Sequence, residues 1–174
     1  MAKPVAIGLK NFYLGAIAGD GGMGTDLEPV SYSVIDTPVF NIPEGEKTDF
    51  PIEESDTPYY SKTTPGVPVF NLSIYGLSAA VLAKHFGGTA VVGPTSGDPD
   101  TWEAPAQIPT FERSIVAEHS QGGFLSIVRA AITATIDWNF QKNNLPQINL
   151  VCTVLTPTKL NEPAYKFSTA AYVP

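Results

Sequence analysis

Cysteine is nearly absent. Cys152 is the only one in 174 residues and sits within the apolar run INLVCTVL, so no disulfide can form within the chain. A lone thiol in such a run is read as buried and inert. Histidine is almost as scarce. His85 and His119, with that one thiol, make no zinc set, and no G-x-S-x-G elbow presents a nucleophile. Basic side chains are few, ten against seventeen acids for a net charge of −7, and no short window is rich in Lys or Arg. Such a chain does not hold phosphate by counterion release. No apolar run approaches the ~20 residues that cross a bilayer. The N-terminal MAKPVAIGLKNF has too short an apolar region for a signal peptide, so the expectation is a chain made and kept in a cytoplasm. Charge itself is sparse at 16%, which calls for a surface of Ser, Thr and Asn or one partly covered by partners.

Turn formers are abundant instead. Fifteen glycines and sixteen prolines alongside 43% hydrophobic residues favour many short strands around one core. The expected fold is mainly β, a β-sandwich or partial barrel of two packed antiparallel sheets with one short flanking helix at about 77–86. It forms a single domain over 1–174, with a sandwich core over 5–155, a protruding acidic hairpin or loop over 41–66 and an arm over 156–174.

Along the chain, residues 5–18 read as an opening strand or two, followed by GDGGMGTD as a flexible loop. SYSVID (31–36) reads as a strand. The Pro-rich segment after it carries Glu44, Glu46, Asp49, Glu53, Glu54 and Asp56 against Lys47 and Lys62. Pro51 and Pro58 exclude a central strand there but not an edge or protruding hairpin. Residues 67–75 alternate, with Phe70, Leu72 and Ile74 on one face and Asn71 and Ser73 on the other. Ser78 is the expected helix N-cap, Leu77, Val81 and Phe86 its buried stripe, Lys84 and His85 its dipole-favoured last turn, and Gly87 its C′ residue.

Residues 93–109 read as an irregular excursion anchored by Trp102. Three strand patterns close the domain. The first, 111–119, puts Phe111, Ile115 and Ala117 on one face and Glu112, Ser114 and Glu118 on the other. The second, 124–141, places Ile132, Ala134, Ile136, Trp138 and Phe140 inward and Thr133, Thr135, Asp137 and Asn139 outward. The third, 147–155, turns Ile148, Leu150, Cys152 and Val154 inward and pairs with the second as a hairpin. The tail, 156–174, shows little periodicity and reads as an arm or a disordered end unless a neighbour holds it.

Chemical motifs fail on context. Gly19, Gly21 and Gly24 spell G-x-G-x-x-G, but TDLEPVSYSV follows where a dinucleotide fingerprint needs a helix. Asp20, Asp26 and Glu28 miss EF-hand spacing. The Glu53/Glu54 pair lies in the Pro-rich segment, not across a cleft as glycoside hydrolysis requires. Asn71-Leu-Ser73 is a glycosylation sequon, but one in mid-strand. The expectation is a protein that is not an enzyme and needs no cofactor or metal.

Taken in order, these residues resemble the major tail tube proteins of long-tailed, siphovirus-like bacteriophages. The features that carry the resemblance are the N-terminal strand with its Gly-rich loop, the EESDTP hairpin, TTPGVPVFNLSIYGLSAAVLAKHFGGT, the DTWEAP loop, FERSIVAEHS, and two closing strands ending in LVCTVLTP. Together they span roughly residues 5–157. The resemblance implies a virion structural protein, assembled in the host cytoplasm, whose subunits form six-fold rings that stack into a conduit for DNA ejection. Its partners would be further copies of itself and other tail proteins (tape measure, tail terminator, distal tail). DNA would pass without specific binding, and no membrane binding is expected of the chain. Inter-ring contact would fall to Glu44, Glu46, Lys47, Asp49, Glu53, Glu54, Asp56, Tyr59, Tyr60 and Lys62. The lumen would be lined by Thr133, Thr135, Asp137 and Asn139, among which Arg129 is a misfit. Lys10, Arg113 and Lys142 are candidate partners for the hairpin acids across rings. Two other readings compete: a tube subunit of a contractile injection or secretion device, and a β-sandwich carbohydrate- or receptor-binding module using Trp102, Tyr59 and Tyr60 as a platform.

Overall fold

The structure, a computed structural model, describes residues 8–30, 32–95 and 100–173. Residues 5–7 of the expected first strand, Ser31 and residues 96–99 of the expected excursion lie outside these. In chain order the elements are β1 (Leu9–Gly15), β2 (Leu27–Val30), β3 (Val39–Asn41), β4 (Glu46–Ile52), β5 (Ser55–Thr64), β6 (Val69–Ile74), α1 (Ala79–Phe86), β7 (Thr89–Val91), β8 (Thr101–Glu103), β9 (Phe111–His119), β10 (Phe124–Asp137), β11 (Gln147–Val154) and β12 (Tyr165–Ser168). The protein is mainly β with one short helix among the described residues, as its turn-rich composition leads one to expect.

One eight-stranded antiparallel sheet, ordered β2-β1-β9-β10-β11-β6-β3 with β12 also on β10, makes the body. In a flat sheet the four steps from β1 to β6 would separate them by about 19 Å. Phe12 of β1 and Phe70 of β6 instead stack with ring centroids 5.2 Å apart. The sheet therefore curls until its two halves face each other, and this single sheet supplies both layers of the sandwich. Phe12, Leu72, Ile74, Ile115, Ile127, Ile148, Leu150 and Cys152 fill the space between them and are almost fully buried. Burial pushes the Cys152 thiol up to about 12, so it is protonated and unreactive.

The helix closes one end of this curl. Ser78 caps it by accepting from the Val81 amide at 3.2 Å. Gly87 ends it at φ 73° with its amide on Ala83 O, a left-handed conformation that a side chain would strain. Leu82 and Phe86 enter the core, while Leu77 and Val81 pack only partly against it, so the buried stripe is rotated toward Leu82. The residues after the helix are less irregular than expected. β7 and β8 pair, and Trp102 donates its indole N–H to Gly87 O at 2.9 Å beside Phe86.

Several strand readings need correction. Residues 32–36 do not form a strand: Tyr32 and Asp36 adopt φ 65° and 63°, and only Ser33 bridges to Ile74. The pairing falls instead to β2, with Pro29 tolerated on a sheet edge, and to β3. Ser114 and Glu118, expected to face outward, are buried, because β9 is covered on both faces. Ser114 Oγ accepts from Gly24 N at 2.9 Å and donates to Val128 O at 2.7 Å. A Cβ on Gly24 would lie 2.1 Å from Ala16 O, so this glycine allows a close backbone approach, and the Gly-rich loop is packed in place.

The tail covers the rest of that face. β12 pairs with Phe124–Ile127 of β10, Lys159 meets Asp20 at 2.8 Å, and Tyr172 packs on Tyr13 and Phe124. The expected arm is thus folded onto its own sheet, held by a strand edge that β11 leaves open.

His85 is buried, and that burial, with Lys84 and Arg113 nearby, lowers its pKa from 6.5 to about 4. It is neutral at ordinary pH, so Lys84 and not His85 complements the helix dipole. Below pH 6.5 the unfolded chain gains a proton that the fold refuses until near pH 4. The contribution is therefore full above 6.5 and is lost between 6.5 and 4, on the order of 3 kcal/mol. Urea titrations across this window should show a shallower pH dependence for His85→Gln than for wild type. Phe12→Ala should lower unfolding free energy by about 3–5 kcal/mol, measured by denaturant midpoint at constant slope.

Candidate assembly surfaces

The acidic segment forms a hairpin of its own. β4 and β5 pair from Glu46↔Thr64 through Phe50↔Tyr60 to Ile52↔Ser55, with a register shift at Pro51. Every residue of β4 and all of β5 except Ser55 is exposed. Glu46, Lys47 and Asp49 lie on β4, Glu53 and Glu54 form the tip, and Asp56, Tyr59, Tyr60 and Lys62 lie on β5. Glu44 sits in the stalk below. Strand length sets the reach at about 24 Å. Six acids against two lysines leave −4 of the chain's −7 on residues 44–62. Internal relief is small: Lys47 meets Asp49 at 3.1 Å, and Ser61 donates to the same carboxylate. Phe50 and Tyr60 touch at 5.9 Å between centroids yet stay exposed. A lone two-stranded hairpin with no buried side chain is marginal in water, and its unpaired edges are templates for further pairing.

The second surface is the outer face of β10, β11 and β6. Register places Thr133 beside Val151 and Asn71, Thr135 beside Asn149 and Ser73, and Asp137 beside Gln147. Ser73 Oγ donates to Asn149 Oδ1 at 2.6 Å. Thr133, Thr135 and Asp137 are exposed as expected. Asn139 is not part of the row, since β10 ends at Asp137 and the Asn139 side chain accepts from the Gln141 amide.

Arg129 shares this face but is occupied. Its Nε and one terminal nitrogen donate to Glu112 at 2.8 and 2.9 Å, and the other reaches Thr156 O at 3.2 Å. The fork raises the Arg129 pKa and lowers that of Glu112. With that pair closed, Asp137 is the one uncompensated charge in the row.

Trp138 and Phe140, expected inward, point out instead, 50% and 92% exposed. They stack 6.5 Å apart with ring planes at 9°. The alternation that placed them inward stops where the strand stops. Trp102, by contrast, is spent on the helix end and offers no platform.

The remaining candidates are dispersed. Lys10 and Asn11 bind the buried Glu118 at 2.8 and 2.9 Å and hold its carboxyl below the usual range. Arg113 lies over the Phe111 ring. Asp20 pairs with Lys159 and Glu28 with Lys84, each carboxyl lowered by its lysine. His119 stands edge-on to Phe167. Among the described residues no three His, Cys, Asp or Glu side chains group so as to hold a metal ion, and no helix is long and apolar enough to cross a membrane.

Compared with known proteins, the chain matches no family model and no curated protein. In limited proteolysis of the dilute protein, a glutamate-specific protease should cut first at Glu53–Glu54. A first cut at Glu103 or Glu162 would contradict so exposed a hairpin.

Proposed function

We propose that this chain is a virion structural protein, a tail tube subunit that forms hexameric rings stacked into a conduit for DNA. The observation that supports it most is the hairpin: eighteen or so residues held away from the core with no buried face of their own. Such a hairpin makes physical sense when a neighbour orders it. Stacked rings supply that neighbour once per subunit, and its acids and aromatics are then interface groups.

The polar row adds to the reading. A DNA conduit must not bind phosphate. Thr133, Thr135, Asn149, Ser73 and Asn71 are neutral, Arg129 is closed on Glu112, and Asp137 repels. Nothing in that row would hold a passing duplex. Ring closure would pair the free edges at β2 and β3, which are short and otherwise open. Other tail proteins would cap the two ends of the stack, and the assembled protein would reside in the virion.

A second reading, a carbohydrate- or receptor-binding module, draws on the exposed Trp138–Phe140 stack. A tube subunit of a contractile device shares the assembly logic and is told apart by a sheath partner.

Negative-stain microscopy of the concentrated protein should show rings or tubes, and a strictly monomeric protein would overturn the tube reading. Replacing Glu46–Lys62 by a short Gly-Ser link should keep a cooperative thermal unfolding transition and abolish tube growth. Global unfolding of that variant would sink the assignment of the hairpin to inter-ring contact.

A further inference from the structure

Two apolar features lie at opposite ends of the same strands. At one end, where β1 and β10 begin and β9 finishes, the interior of the curl opens into a cavity of about 840 Å³. Its wall includes Leu9, Phe40, Phe70, Leu125, Tyr165 and Phe167. The stalk of the acidic hairpin rises from its rim at Ile42, and Asp36 lies beside it. At the other end of β10, beyond Asp137, the 138–145 turn projects Trp138, Phe140 and Leu145 into water, Leu145 being 68% exposed. Fourteen residues of β10 separate the two ends by roughly 45 Å.

We propose that the 138–145 turn of one copy seats in the open mouth of the next copy, making a head-to-tail contact along the strand direction. This rests on the tube reading and names the surfaces that join one ring to another. Knob and mouth are different patches, so the contact is heterologous and propagates as an open stack instead of closing on a dimer. Charge complements shape. Lys142, on the knob, has no ion-pair partner among the described residues, whereas Asp36 lines the mouth and Glu44 and Glu46 lie at the root of the hairpin. Trp138 is half and Phe140 almost wholly exposed in the single chain, so at about 150–250 Å² per full side chain the two rings supply roughly a third of the ~800 Å² per partner typical of a stable contact. The hairpin, rising from the same end as the mouth, grips the incoming copy and supplies the remainder. In this arrangement Trp138 and Phe140 are exposed in the single chain because they are core residues of the stack.

Cross-linking tests the contact directly. Two single variants, Phe140→Cys and Ile42→Cys, are mixed at a concentration where wild type assembles and treated with a short bismaleimide, Cys152 being buried and out of reach. The proposal expects a cross-linked dimer containing one of each variant, and none from either variant alone. The double variant Trp138→Ser/Phe140→Ser, altered only at exposed positions, should still form rings but need at least tenfold more protein to grow tubes. Tubes that form without the mixed cross-link, or that grow from the double variant at the wild-type concentration, overturn this contact and leave the tube reading standing. A stoichiometric apolar small molecule in the native mass spectrum overturns the contact alone, and a wild-type protein that stays monomeric overturns both.

Discussion

Everything in this molecule depends on the curl that brings Phe12 against Phe70. A single antiparallel sheet of this size has too much apolar surface on one face to remain open, and a single short helix cannot cover it. Folding the sheet on itself solves the problem with residues spaced two apart on β1, β6, β9, β10 and β11. The helix then has only one end to close, and eight residues suffice. The other end stays open and apolar.

The second constraint is the change of partner along β10. From Phe124 to Ile127 its free side is taken by β12, and from Ala130 onward by β11. Between them the ladder to β9 slips, and the inward set changes from odd to even positions. Leu125 and Ile127 lie on one side of the slip and Ala130, Ile132 and Ala134 on the other. This irregularity lets the C-terminal segment enter the sheet and aims Arg129 at Glu112, while Ser114 is buried against Gly24 and Val128 and Glu118 against Lys10 and Asn11. The polar row that remains outside is nearly free of net charge because that fork closes on itself.

Much of this was legible in the chain. β6 and β11 carry clear alternation, and Ser78 and Gly87 mark the helix ends by chemistry that acts within a few residues. The hairpin was legible because Pro51 and Pro58 permit pairing with only one neighbour. Trp138 and Phe140 were misread for a specific reason. They continue the β10 alternation perfectly, and only the turn to β11 shows that the sheet has ended beneath them. The strand reading of 31–36 fails at Tyr32 and Asp36, where positive φ interrupts the extended backbone that the side-chain pattern suggests. His85 reads as a dipole-favoured last-turn residue because spacing says nothing of what packs over it.

By itself the sequence determined what acts at short range: strand periodicity, helix caps and proline-limited pairing, together with a composition that is acidic and sparse in bases, thiols and histidines. Tertiary structure alone decided what depends on contacts between residues far apart in the chain. It made one sheet into two layers, turned the tail from an arm into β12, neutralised Arg129 with Glu112, and left an apolar mouth at one end and an aromatic knob at the other. The physical reason is that local propensity sets which face of a strand is apolar, while only the closing of the sheet determines whether that face meets protein or water.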